Sequence, residues 1–146
     1  SPEAHETLVR VLSDLDYSEI GVHDWYVYAL ARSIGLTWVI GEESTLEYRQ
    51  HGGNVQGANS GSGARDARMA KLRNGFYRKQ FILTARAAQK VGSFDERRAR
   101  QLRAILGELE GQGAASRLRF ALRWRQIRRN PVEGLKLAAA RVLGVW

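Results

Sequence analysis

The sequence predicts a mostly α-helical chain that carries one short pair of β-strands. Three observations predict this. Most of the chain places apolar residues at helical spacing. Helix-start signals recur, among them Ser1-Pro2-Glu3 and Asn130-Pro131-Val132-Glu133, each with a polar cap, a first-turn proline and an acid. One β-branched and aromatic run, Thr37-Trp38-Val39-Ile40, breaks the pattern. At 146 residues the chain can bury one modest core. Apolar residues at 44% and charged residues at 26% are ordinary for a soluble globular domain and favour neither a disordered nor a fibrous class.

Taken in order, Pro2 to about Leu15 sets Leu8, Val11, Leu12 and Leu15 on one stripe, and Asp16-Tyr17-Ser18 ends it. From Asp24 to Ile34 apolar residues surround the helix, which predicts deep burial, and Gly35 is the expected stop. Thr37–Ile40 and Thr45–Tyr48 are expected as two short strands. Gly52 to Gly63, rich in glycine with Asn and Ser, is expected as a loop or linker. Helices are then expected over about Ala64–Val91, from the capping box Ser93-Phe94-Asp95-Glu96 to about Leu109, over about Ala114–Arg129, and from Asn130 to Leu143.

Charge divides at the linker. Residues 1–64 hold three basic against nine acidic side chains, whereas residues 65–146 hold twenty basic against six acidic, so a net +8 arises from an acidic first half and a basic second half. Any anionic partner is expected on the C-terminal half. There, Leu118, Phe120, Leu122, Trp124 and Ile127 interleave with Arg117, Arg119, Arg123, Arg125, Arg128 and Arg129. Such a helix fits an anionic membrane surface, or equally a solvated arginine face on a bundle; nucleic acid ranks below both because no base-reading motif accompanies the arginines. No cysteine is present, which excludes disulfides, zinc-thiolate sites and thiol nucleophiles. No run of about 18 uncharged apolar residues exists to span a bilayer. No secretory signal is recognisable, and the start at Ser1 without Met is expected to mark an excised piece of a longer protein.

Two motifs carry chemistry. In His23-Asp24-Trp25-Tyr26, Asp24 is placed to face a cavity as a general base; the plain alternative is that it only caps the helix. In Tyr48-Arg49-Gln50-His51-Gly52-Gly53-Asn54, His51 could bind a divalent metal or contact a diphosphate, with Arg49 and Asn54 nearby, or could simply be exposed at a loop entry. His5 is expected at the surface, and His23 beside Asp24.

Together, His23-Asp24-Trp25-Tyr26, the helix ending at Gly35, Ile40-Gly41-Glu42-Glu43 and Tyr48 through Ala58 closely resemble family 2 glycosyltransferases of the rhamnosyltransferase type. The resemblance covers about a third of the chain. It implies the C-terminal part of an α/β GT-A fold followed by a helical extension, with residues 1–63 as the acceptor-side part and residues 64–146 as the extension. It further implies inverting transfer of a sugar, such as rhamnose, from a nucleotide-diphosphate donor to a glycan or lipid-linked acceptor in surface polysaccharide synthesis. The resemblance makes Asp24 the base, places His51 at a Mg or Mn ion, and sets His23, Trp25, Arg49, Gln50 and Asn54 around substrate or diphosphate, with Trp25 more a packing anchor than a sugar platform. The family's nucleotide-binding half and its Asp-x-Asp motif are absent from the chain, and Asp14-Leu15-Asp16 lacks a preceding strand. The piece alone is therefore expected to be inactive, and to lie in the cytoplasm or on the inner face of the membrane. An unpaired sheet edge near Trp38–Tyr48 would favour a homodimer. The rival reading is a non-catalytic basic helical module that binds anionic membrane or nucleic acid.

Overall fold

A computed structural model describes residues 1–39, 62–128 and 130–146. Every regular element among them is a helix. Helix α1 spans Pro2–Ser13, opened by Ser1, whose hydroxyl accepts from the Ala4 N–H at 3.4 Å. Its Leu8, Val11 and Leu12 form the inner stripe, half-buried against the core. Helix α2 spans His23–Ser33 and ends where the sequence predicts, at Gly35 with φ +85°. Leu36 N–H bonds to Ala31 C=O at 2.9 Å and Gly35 N–H to Arg32 C=O at 3.3 Å, the paired closure that satisfies the last carbonyls.

The α/β expectation is corrected here. Thr37, Trp38 and Val39 lie outside any helix and join no strand among the described residues, and Val39 is 82% exposed. β-Propensity measures fit to a pleated, partnered surface, and no described strand offers this run a ladder. Trp38 instead packs edge-on against Tyr28 of α2, ring centroids 5.6 Å apart. The sheet-edge route to a homodimer therefore has no strand behind it in the described residues. Ile40 and the second expected strand, Thr45–Tyr48, lie outside them.

The long helix expected over Ala64–Val91 is two, α3 (Ser62–Arg73) and α4 (Phe76–Val91). The break is at Gly75, whose φ of +76° is a left-handed conformation that costs glycine no steric strain. Asn74 stabilises it by accepting from the Phe76 N–H at 3.0 Å. Helix α5 spans Glu96–Glu110, and its cap is Asp95, accepting from Arg98 N–H at 2.7 Å, not Ser93. The helix expected over Ala114–Arg129 divides into α6 (Ala114–Leu122) and α7 (Trp124–Ile127). Helix α8 spans Pro131–Val142 behind Asn130, whose side chain accepts from Val132 N–H at 2.9 Å.

Helix α4 lies between two apolar clusters. Leu83, Ala87, Ala88 and Val91 face one cluster, with Leu15, Ile20, Tyr26 and Leu30. Tyr77, Phe81 and Ile82 face the other, with Leu109, Phe120 and Trp146. Around the second cluster two arginines replace water as partners for backbone and carboxylate. Arg123 grips Glu108 with both arms of its fork, at 2.7 and 2.9 Å, which raises its pKa above the ordinary arginine value. Arg141, only 1% exposed, donates to the carbonyls of Glu108, Leu109, Gly111 and Trp146 at 2.6–3.2 Å. Burial, then the neighbouring charges of Arg78 and Arg117, push its pKa down.

Candidate functional site

The turn that delivers the His23-Asp24-Trp25 motif is fastened to α4 by a single buried amide. Gln80, 3% exposed, accepts from Gly21 N–H at 2.8 Å and donates from its amide nitrogen to Glu19 C=O at 3.1 Å. Beside it, Lys79 pairs with Glu19. The side chain of Gln80 thus stands in for a strand of backbone, pairing two main-chain groups that would otherwise be poorly hydrated. Gln80 was not singled out in the sequence. The signal was there: it lies one turn from Phe76, Tyr77 and Leu83, an amide within a mostly apolar and aromatic stripe of α4.

His23 and Asp24 open α2, and both side chains are exposed. The N-cap is Val22, and no side chain caps the helix, which removes the reading of Asp24 as a mere cap. As the acid of the first turn, its carboxylate sits favourably at the positive end of the helix dipole. It lines neither of the two cavities formed by the described residues around Phe81 and around Tyr26. The residue turned inward is Tyr26, two positions on and so about 200° around the helix. Tyr26 is 2% exposed and lines a cavity of about 290 Å³ with Asp16, Glu19, Arg86 and Lys90. Its hydroxyl has no hydrogen-bond partner among the described residues. Burial, followed by the nearby Asp16 charge, raises its pKa above the ordinary phenol value.

Trp25 is wedged between α2 and α4. Its ring stacks on Phe81 at 5.3 Å and 17°, and tilts against Tyr77 at 5.9 Å. The Arg128 guanidinium lies 5.9 Å from the ring centre, and Trp25 keeps 37% of its surface exposed. These contacts hold the first turn of α2 against the second cluster, so Asp24 is presented outward from a base fixed at both Gln80 and Phe81.

Arg49, Gln50, His51 and Asn54 lie outside the described residues. Among the described residues no three His, Asp or Glu side chains gather where they could hold a metal ion. No described helix is long and apolar enough to cross a membrane.

The chain is related to a glycosyltransferase. Over 69 residues, 47% of its length, it is 39% identical to the dTDP-rhamnosyl transferase RfbG of Shigella flexneri. The match spans 24% of that relative's own length. No protein family description matches the chain, and no solved structure does.

Proposed function

We propose that this chain is the acceptor-side, C-terminal portion of an inverting sugar transferase, with residues 1–63 bearing the catalytic motifs and residues 64–146 forming a basic helical extension. The observation that carries the proposal is the 39% identity to a rhamnosyl transferase. The geometry of Asp24 supports it: an exposed carboxylate, in the first turn of a helix docked by Gln80 and Trp25, with its oxygens free of the capping duty that would occupy them.

In the proposed reaction an acceptor hydroxyl on a glycan or lipid-linked glycan gives its proton to the Asp24 carboxylate. Its oxygen forms a bond to the anomeric carbon of the donor sugar from the face opposite the diphosphate. The bond from that carbon to the diphosphate oxygen breaks, and the nucleoside diphosphate leaves with the electron pair. The relative's name makes a dTDP-linked rhamnose the first donor to try. His23 and Trp25 flank Asp24 on the acceptor side, and Arg49, Gln50 and Asn54 are proposed at the donor's diphosphate. A Mg or Mn ion, held in part by His51, would offset the diphosphate charge. The reading places the protein in the cytoplasm.

The test is transfer of labelled sugar from dTDP-rhamnose by the natural gene product that contains this chain. Asp24→Asn should lower kcat by about 100-fold or more while donor affinity stays within about twofold. Unchanged turnover in that variant would remove Asp24 as the base. Turnover by the 146-residue chain alone would overturn the assignment of a missing donor half.

A further inference from the structure

The apolar residues that the sequence suggested for a membrane-facing helix do not all face outward. Phe120 is 4% exposed and packed in the second cluster, and Trp124 is half-buried. The structure shows a different apolar surface. On α6, Leu118 and Leu122, one turn apart, are 56% and 73% exposed. On α8, Val132, Leu135, Val142 and Leu143 are 47–76% exposed and, with exposed Ala139, follow one another at intervals that repeat on one helical face. The two helices pack directly on each other, and Phe120 of α6 and Leu137 and Ala140 of α8 turn towards the same cluster. Their opposite faces therefore form one outer surface. This stripe on α8 carries no explanation from the fold, which already has its buried face in Ala138 and Arg141.

Charge indicates what would cover it. Residues 113–146 hold eight basic side chains and one acid, Glu133. Arg141 and Arg123 are committed inside the protein, but Arg119, Arg125, Arg128 and Lys136 are exposed on or next to the two helices. A second copy docked through the same face about a twofold axis would bring these cations against their own images. A bilayer leaflet with anionic headgroups takes the leucines into its acyl boundary and the cations at its surface.

We propose that the outer face of α6 and α8 is a docking surface for anionic lipid bilayers, with the two helices lying in the interface plane. This surface is independent of the sugar-transfer reading: it uses neither His23 nor Asp24, and Asp24→Asn should bind membranes as the parent does.

The experiment is co-sedimentation of the chain with vesicles of phosphatidylcholine and phosphatidylglycerol in equal parts, against vesicles of phosphatidylcholine alone, at low and high salt. The expected result is binding to the anionic vesicles that weakens with salt. Leu135→Ser with Leu143→Ser, and separately Leu118→Ser with Leu122→Ser, should each lower the partition coefficient about tenfold or more, because each removes two exposed apolar side chains that the lipid would bury. Circular dichroism should show parental helix content, since all four residues are exposed. Arg119→Glu should lower anionic binding without serine substitutions. Vesicle binding by the double-serine chains equal to the parent's would overturn the proposal. So would equal binding to both vesicle types, a dimer in sedimentation velocity that the serine substitutions dissolve, or salt-sensitive binding to RNA with none to vesicles.

Discussion

Gln80 and Arg141 do opposite kinds of work with the same physics. Each is a polar side chain inside the protein that pairs main-chain groups no helix can satisfy. Replacing Gln80 with Leu keeps the volume but leaves Gly21 N–H and Glu19 C=O unpaired, so the expected cost is about 2 kcal/mol, measured by urea unfolding. A loss below about 0.5 kcal/mol would mean that water replaces the amide without difficulty. Arg141→Met removes donors to four carbonyls and should cost about 3 kcal/mol in the same measurement, while Arg141→Lys should recover only part because it lacks the planar fork. At this scale the sequence marks His23, Asp24 and Trp25 as candidates, since residue type and order suffice for that. It did not reveal the side of the helix on which Asp24 lies relative to Tyr26, because apolar residues all around α2 left its phase undetermined and suggested burial on every side. Only the face of Tyr26, Leu30 and Ala31 is buried, and Trp25 and Tyr28 stay exposed. Gln80 and Arg141 stayed hidden for another reason: an amide or guanidinium reads as surface until the carbonyls facing it are known.

Among the elements, helix starts were legible and helix breaks were not. Caps act through hydrogen bonds two or three residues long, and Ser1, Asn130 and the Ser93–Glu96 segment carry them in plain view, although in the last the working cap is Asp95. Asp95→Ala should therefore cost about 1 kcal/mol in thermal or urea unfolding. The division of α6 from α7 falls at Arg123, whose side chain is held by Glu108 fifteen residues away, so local pattern could not announce it. The expected strand failed for the complementary reason, since a strand exists only in partnership. Helices α7 and α8 meet closely at Gly134, where an added Cβ would come within 2.2 Å of the Trp124 carbonyl oxygen. Gly134→Ala would gain about 1 kcal/mol in an isolated helix. Here the clash with backbone reverses the sign, and a lowered melting temperature is the expected outcome; a raised one would show that α7 can withdraw freely.

For the molecule as a whole, α4 decides how the parts respond together. It supplies one face to each apolar cluster, and no cluster closes without it. Phe120→Ala, which opens the second cluster, should cost about 3–5 kcal/mol. Because α4 is shared, the first cluster should lose stability with it, so helix content by far-ultraviolet circular dichroism and tryptophan emission should fall in one coincident transition in urea. Two separated transitions would show that the clusters unfold independently. The ring contacts make the second probe informative: Trp25 and Trp146 both rest on Phe81, at 5.3 and 6.0 Å, and Trp146 also touches Phe120 of α6 at 5.2 Å. Any displacement of α6 against α4 thus alters the surroundings of Trp146, while Trp25, in the motif beside Asp24, reports on the same Phe81 ring from α2. The protein carries a built-in optical reporter that spans the distance between its proposed chemistry and its lipid-facing side, readable in plain ultraviolet light without a dye or a tag.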